Sequence, residues 1–250
     1  MRHKYFILRI IVLFFSFGFV NQTNFKANQL VYPKVKQAFS NQEVDLKTLF
    51  RLNKINPDEC EVYIRGFKKE GTLELWARNR TDKRYSYIES YPFCSNVGVL
   101  GPKRREGDNQ IPEGFYNLSS FNPNSNYHLS LQVSYPNKSD SILSKHKKLG
   151  GLIFIHGGCQ TIGCIPIMDD KIERLYVSCV LARSNGQIEI PIHIFPNRMN
   201  YSNYKSLLNS DNDKSKHVFW TNLKPVYQHF EETGELLTIS VNHQGRYLFK

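Results

Sequence analysis

The chain has 250 residues, of which 40% are apolar and 13% aromatic, which excludes a generally disordered chain and suffices for one folded domain. Its formal net charge is +11, but the basic residues are scattered, which argues against a nucleic-acid partner because such a partner needs a localised basic stripe. We expect a solvated basic surface, with Lys68 and Lys103 among its residues, suited to an anionic polymer or a membrane surface.

Residues 1–22 have the pattern of an export signal. Arg2 and Lys4 precede an apolar stretch from Ile10 to Val20, which is short for a membrane-spanning helix. No small-x-small cleavage site follows, so a cleaved signal peptide and a retained N-terminal anchor both stay open. Either alternative predicts export to the periplasm or the cell envelope, with membrane contact only through this segment.

Residues 23–59 are polar with a loose helical pattern, and we interpret them as a helical lead-in packed on the main domain. From residue 60 the alternation becomes typical of strands, and a meander is predicted from EVYIRGF (61–67), TLELWAR (72–78) and RYSYIESYPF (84–93). Further strand candidates are GFYNLSSF (114–121), YHLSLQVS (127–134), LIFIH (152–156), QIEIPIHIF (187–195), LTISVN (237–242) and RYLF (246–249).

Two helices are predicted in the second half of the chain. Asp170 and Glu173 have the spacing of a capping box, and apolar residues at helical spacing follow until the sequence SNG at 184–186. A second amphipathic stretch runs from Phe219 to Phe230 and stops before Gly234. These elements together predict a β-rich α+β domain over residues 60–250.

The sequence HGGCQTIGC, at 156–164, is the candidate for chemistry. His156 lies where the predicted buried strand LIFI enters a Gly-Gly turn, and Cys164 precedes the first predicted helix. A thiol near a helix N-terminus, with an imidazole eight residues upstream, has the parts needed for nucleophilic catalysis. The pattern therefore makes acyl transfer at Cys164 plausible.

The five cysteines allow other interpretations. An odd number leaves at least one thiol unpaired within the chain. Cys159 and Cys164 could form a disulfide that silences the nucleophile, whereas Cys60 and Cys94 could form a bridge between meander strands or remain two buried thiols. A zinc site would need His156 with Cys159, Cys164 and Cys179, but the paired C-x2-C spacing of common structural sites is missing.

Several other polar residues have structural interpretations. His128, His193 and His243 fall in strand-like segments, where a core or cleft histidine is commoner than a metal ligand. The acidic residues Glu106, Asp108 and Glu113 are expected to solvate a loop or to form part of a cleft wall.

The motif His156-Gly157, followed by Thr161-Ile162-Gly163-Cys164, resembles the active-site signature of the L,D-transpeptidase (YkuD-like) family. Its short spacing is similar to that of the murein L,D-transpeptidase branch. Four further blocks resemble the same branch, at residues 100–118, 127–137, 164–176 and 219–235. The resemblance covers residues 60–250 and implies a β-rich catalytic domain with peripheral helices.

The resemblance also implies roles for individual residues. Cys164 is the nucleophile, His156 its base, and the carbonyl of Gly157 orients the imidazole. The amides of Gly163 and Cys164 form the oxyanion hole, and Thr161 belongs to the same oxyanion and substrate-binding segment. Ile162 stands where many members of the wider family carry a second histidine, so one base must make both proton transfers unless a residue from elsewhere helps.

The implied activity is acyl transfer from peptidoglycan stem peptides, at the L,D bond before the terminal D-alanine, through a thioester and without metal or cofactor. The acyl group then passes to an amine or to water. Crosslinking, attachment or release of a wall-bound lipoprotein, and hydrolysis by an L,D-hydrolase all remain open. The alternative from a different class is a secreted cell-wall-binding domain without catalysis.

Overall fold

The computed structural model describes residues 25–95 and 98–250. The helices are α1 (Phe25–Leu30), α2 (Pro33–Leu52), α3 (Lys138–Leu143), α4 (Asp169–Ser184), α5 (Tyr201–Asn209) and α6 (Lys214–Thr233). The strands are β1 (Cys60–Phe67), β2 (Thr72–Asn79), β3 (Ser86–Pro92), β4 (Gly114–Asn122), β5 (Ser130–Val133), β6 (Phe154–His156), β7 (Ile165–Pro166), β8 (Pro191–Phe195), β9 (Ile239–Val241) and β10 (Tyr247–Phe249).

Eight of these strands form one sheet in the order β3-β2-β1-β8-β4-β5-β6-β7, and β9 pairs with β10 in a separate hairpin. Neighbours in the large sheet are antiparallel except for the pairs β1 with β8 and β6 with β7. The parallel pair β6 and β7 lies at one edge and joins the two ends of the HGGCQTIGC segment. The architecture is therefore the predicted α+β class, with the candidate motif at a sheet edge.

Both faces of the central strands are covered, which explains why β1 is buried along nearly its whole length. Val62 and Ile64 face the main core, which also contains the apolar sides of α2 and α4. Tyr63 and Phe67 alternate to the other face, where the aromatic side chains of α6 pack. The sheet thus lies between two helical layers.

The predicted meander β1–β3 is confirmed, as are strands in each of the six later candidate segments. Residues 25–52 are helical, and α2 packs against α4 with five buried side chains, namely Val35, Ala38, Phe39, Leu46 and Phe50. The predicted signal peptide or anchor, residues 1–22, lies outside the described residues. Within the described ranges, no helix combines the length and the apolar composition that crossing a membrane requires.

Two sequence-based expectations are wrong. The predicted capping box is not formed, because α4 begins after Met168 without a side-chain cap and the Glu173 carboxylate accepts hydrogen bonds from Asn41 and His128 instead. Lys68 and Lys103 are not part of a solvated surface. Both are buried, because Lys68 pairs with Glu113 at 3.0 Å and Lys103 with Asp108 at 2.6 Å.

Candidate active site

The pairing of β6 with β7 brings Cys164 and His156 to one side of the sheet edge. Ile155 is opposite Ile165 and His156 is opposite Pro166, so the next position back places Cys164 opposite Phe154. Side chains two residues apart along a strand share a face, and Phe154, His156 and Cys164 accordingly line one cavity of about 510 Å³. The local pairing of β6 with β7 thus places His156 and Cys164, eight residues apart in sequence, in the lining of the same cavity.

Cys164 is the one partly exposed thiol among the three free cysteines of the described residues. Its Sγ accepts a hydrogen bond from the Phe154 N–H at 3.4 Å, and its S–H is directed at the Leu152 carbonyl, 3.6 Å away. Burial raises the pKa of the thiol above its ordinary value of 9.0, although the Phe154 N–H and the Lys103 charge oppose this effect. At neutral pH the resting group is a thiol, which needs a base before it can attack.

His156 is held in the form that such a base requires. Its Nδ1–H donates to the Gly157 carbonyl at 2.5 Å, which leaves the lone pair on Nε2. Burial lowers the pKa of the imidazole below 6.5, so it is neutral at pH 7. The Tyr127 ring packs on it with 4.6 Å between ring centroids. The predicted orienting contact with Gly157 is therefore present in the structure.

No hydrogen bond joins Cys164 Sγ to the imidazole among the described residues. Catalytic hydrogen bonds are commonly long in a free enzyme and tighten when substrate binds. The structure shows a cavity that Cys164 and His156 share and an imidazole that is uncharged at pH 7. The roles of nucleophile and base stay predictions.

The turn after His156 is fixed by contacts on both of its glycines. The Gly157 N–H donates to the Tyr127 carbonyl at 3.1 Å, and the Gly158 N–H donates to Asp169 Oδ1 at 2.8 Å. Asp169 is the first residue of α4, so the helix start anchors the turn. A Cβ atom at Gly157 would lie 2.4 Å from Asp169 Oδ1 and 2.8 Å from the Tyr127 carbonyl oxygen.

Gly157→Ala is therefore expected to lower the free energy of unfolding by about 1–3 kcal/mol, the usual cost of forcing atoms into a packed site. Urea unfolding of the purified variant measures this. Gly151→Ala is the matched control, because Gly151 lines the same cavity and its Cβ would meet nothing within 4 Å. Equal stability of the two variants would contradict the crowding seen at Gly157.

The segment from Thr161 to Cys164 has an internal hydrogen-bond pattern. The Thr161 hydroxyl donates to the Cys164 carbonyl at 2.8 Å and accepts from the Gly163 N–H at 3.1 Å. The predicted oxyanion donor Gly163 thus has an acceptor within the loop, and its oxyanion role stays a prediction. Ile162 is 81% exposed at the cavity edge and supplies no proton-transfer group in place of a second histidine.

A disulfide between Cys94 and Cys159 ties the active-site loop to the segment that follows β3. The Cys94 N–H also donates to the Pro166 carbonyl at 3.0 Å, so this segment lies beside β7. The possible pairings of Cys60 with Cys94 and of Cys159 with Cys164 are therefore wrong, and Cys164 is free. The zinc alternative is wrong too, because Cys159 is oxidised. Residues 25–95 and 98–250 contain no cluster of three or more His, Cys, Asp or Glu side chains suited to a metal.

Replacing Cys94 and Cys159 together by alanine is expected to cost about 4 kcal/mol of unfolding free energy, because the bond joins residues 65 positions apart. Chemical unfolding of both proteins without reductant measures the difference. Thiol titration of the unfolded, unreduced wild type should count three thiols. A count of five would show that the bond does not form.

Comparison with known proteins identifies the family. Two curated relatives, each called YafK and described as a candidate L,D-transpeptidase, come from Escherichia coli strain K12 and Escherichia coli O157:H7. Each is 36% identical to the chain over 189 residues, which are 75% of this chain and 73% of the relative. The chain belongs to the L,D-transpeptidase family. The family predicted from the sequence motif is confirmed.

Two solved structures resemble this L,D-transpeptidase family member more distantly. The helical cell shape determining protein Pgp2 of Campylobacter jejuni has a TM-score of 0.43 at 18% identity, covering 73% of this chain and 74% of that one. Bd1075 of Bdellovibrio bacteriovorus has a TM-score of 0.39 at 24% identity, covering 69% and 60%. No family model matches the chain. The assignment rests on the sequence relatives.

The other polar residues of this family member can be compared with their sequence-based interpretation. Glu106 lines the cavity, but Glu113 is fully buried and accepts from Trp220 Nε1 at 2.8 Å. His193 is a core residue, as expected, and burial lowers its pKa to about 3. His128 precedes β5 and donates to Glu173.

Sequence reasoning missed three residues that shape the site: Lys103, Tyr127 and Asp169. All three lie inside blocks that resemble the family, at residues 100–118, 127–137 and 164–176, and that position is the available signal.

Proposed function

We propose that the chain is a cysteine-dependent acyltransferase acting on peptidoglycan stem peptides, with a thioester on Cys164. The observation that carries the proposal is the shared cavity of a free, partly exposed Cys164 and a neutral His156 in a member of this family. Cys60 and Cys179 are buried, and burial raises the pKa of both thiols. Cys164 is thus the thiol suited to attack.

In the first half of the reaction, His156 Nε2 removes the proton from Cys164 Sγ, and the sulfur attacks the carbonyl carbon of the L,D peptide bond. The resulting imidazolium gives this proton to the leaving amine as the C–N bond breaks, which leaves the acyl group as a thioester. An amine or water then attacks the thioester, and His156 takes up the proton of that nucleophile. The C–S bond breaks, and the imidazolium returns the proton to the departing Cys164 sulfur, which restores the free thiol and the neutral imidazole. His156 is the base in both halves of the reaction, because the Ile162 side chain cannot transfer a proton.

The amides of Gly163 and Cys164 are the proposed donors to the tetrahedral oxyanion. For Gly163 to donate, the Thr161 hydroxyl must release the Gly163 N–H that it holds at 3.1 Å. The same hydroxyl donates to the Cys164 carbonyl at 2.8 Å and keeps the loop in place. The Thr161 hydroxyl would thereby determine whether the Gly163 N–H is available to the oxyanion.

Export fits this function. Peptidoglycan lies outside the cytoplasmic membrane, disulfides such as Cys94–Cys159 persist in oxidising compartments, and residues 1–22 have the pattern of a leader. We assign catalysis to residues 60–250 and a packing role to the helical lead-in 23–59. Crosslinking, attachment or release of a lipoprotein, and hydrolysis differ only in the group that attacks the thioester.

Incubating the protein with purified peptidoglycan and with stem tetrapeptide, followed by mass spectrometry, tests the proposal. New crosslinks, loss of D-alanine and released lipoprotein have distinct masses, and any of them should require Cys164. Binding to peptidoglycan without any product would contradict the proposal and favour the non-catalytic cell-wall-binding domain.

A further inference from the structure

Lys103 places a buried cation in the wall of the active-site cavity. Its side chain is 6% exposed, and it lines the same cavity as Cys164 and His156. The loop that carries it continues to Gln110, whose carbonyl oxygen would lie 3.1 Å from a Cβ at Gly163. The loop therefore packs directly against the residue before the nucleophile.

The hydrogen bonds of Lys103 use two of the three N–H groups of its ammonium. Its Nζ donates to Asp108 Oδ1 at 2.6 Å and to the Arg105 carbonyl at 2.9 Å. An ammonium has three N–H groups. Besides these two acceptors the Lys103 Nζ has the Tyr135 ring, 5.8 Å away at its centroid, and no third hydrogen-bond acceptor among residues 25–95 and 98–250. Asp108 matches the charge of the buried Lys103, so what the cavity wall offers a ligand is the third N–H of an ammonium that is already held in place.

The loop holds this ammonium in a fixed position. Asp108, its partner, accepts backbone hydrogen bonds from Arg104 and Arg105, both at 3.0 Å, and from Gln110 at 3.2 Å. Lys68 is a useful contrast, because it is equally buried but bonds to Glu113 and to the carbonyls of Val99 and Gly101, away from the cavity lining.

We propose that Lys103 recognises a carboxylate of the acyl-donor peptide beside the scissile bond, as a specificity-determining residue. This rests on the proposed function. An ammonium on a cavity wall binds an anionic oxygen through a charge-assisted hydrogen bond, and stem peptides present carboxylates near the bond that is cut. Two sources share this chemistry: the C-terminal carboxylate of the departing D-residue, and the side-chain carboxylate of a diamino-diacid residue at the acyl position.

Binding to the Cys164→Ala variant separates this inference from catalysis, because it needs no turnover. Three tetrapeptides are compared: one with both carboxylates free, one with a C-terminal amide, and one with the diamino-diacid side chain amidated. We expect one amidation to weaken binding by about 10- to 100-fold, the range for a hydrogen bond to a charged group. The amidation that does so identifies the source.

Adding Lys103→Met should abolish this discrimination by weakening the binding of the free peptide, whereas Lys103→Arg, which keeps the charge, should retain at least part of it. Lys148→Met is the matched control, because Lys148 is an exposed cation whose carbonyl accepts from Glu106 N–H on the neighbouring loop.

Equal binding of all three peptides to the Cys164→Ala protein with Lys103 intact would overturn the inference. This measurement does not require a Lys103 variant to fold. Discrimination that persists undiminished in Lys103→Met would overturn it as well. Discrimination without any turnover by the wild type would instead refute the proposed function and leave the recognition site standing.

Discussion

Replacing Cys164 by serine is expected to reduce acyl transfer by about 10⁴-fold or more, because a catalytic nucleophile acts as a unit with its base and its removal leaves only binding. The change is nearly isosteric and the residue is partly exposed, so the thermal unfolding midpoint should move little. Rates of D-alanine release and intact mass of the acyl-enzyme measure the loss. The thioester mass should appear in the wild type and be absent from the variant.

Cys60→Ser is the control for this prediction. The Cys60 thiol is buried, its S–H donates to the Pro57 carbonyl, and burial raises its pKa to about 12. It should neither be alkylated in the folded protein nor carry an acyl group, so this variant should keep its activity. An acyl group mapped to Cys60 or Cys179 would show that the nucleophile is misassigned.

Changing His156 to glutamine is expected to slow thioester formation by about 10²- to 10⁴-fold, the range for the loss of a positioned base. Glutamine can still donate a hydrogen bond to a carbonyl but cannot take up a proton at neutral pH. Single-turnover mass spectrometry follows the step directly. A rate within a few-fold of the wild type would show that the His156 imidazole is not the base in thioester formation.

The pH profile gives an independent test of the same residue. The neutral imidazole is the active form, so the rate should fall as pH drops through the pKa of His156. Burial lowers this pKa below 6.5, and the acid limb should therefore lie below pH 6.5 with near-constant rates around pH 7. His156→Gln should lose this limb. A limb centred above 6.5 would contradict the buried, uncharged state of the imidazole.

Much of the fold could be predicted because its strands are rich in apolar and aromatic residues and are separated by turn sequences. Residues 60–92 have this composition and are interrupted at KKEG (68–71) and NRTDK (79–83), and the meander follows from that pattern. The start of α4 could not be predicted in the same way, because Glu173 is engaged by Asn41 and His128, which lie far away in sequence. The two-residue strand β7 is equally unpredictable, since the strand with which it pairs in the described sheet is β6, across the motif loop.

In the candidate site, too, the features set by local sequence could be predicted and those set by distant residues could not. The sequence motif predicts a common site for Cys164 and His156, and the structure places both in one cavity because β6 and β7 pair across the motif loop. The pairing of Cys94 with Cys159 needs the segment after β3 to lie beside β7, and nothing local specifies that arrangement. The sequence alone predicts an exposed Lys103, because a lysine is normally solvated, whereas its bonds to Asp108 and to the Arg105 carbonyl explain its burial.

The Glu173 carboxylate links the lead-in helix to the imidazole through a short series of contacts. It accepts from Asn41 Nδ2 and from His128 Nε2, both at 2.8 Å, and the residue before His128 is Tyr127, whose ring packs on His156. The lead-in helix α2 is therefore not an interchangeable spacer before the strands. Exchange of this segment with that of another protein would have to preserve Asn41, because its loss would remove one donor from Glu173, the residue that holds His128 beside Tyr127 and the proposed base His156.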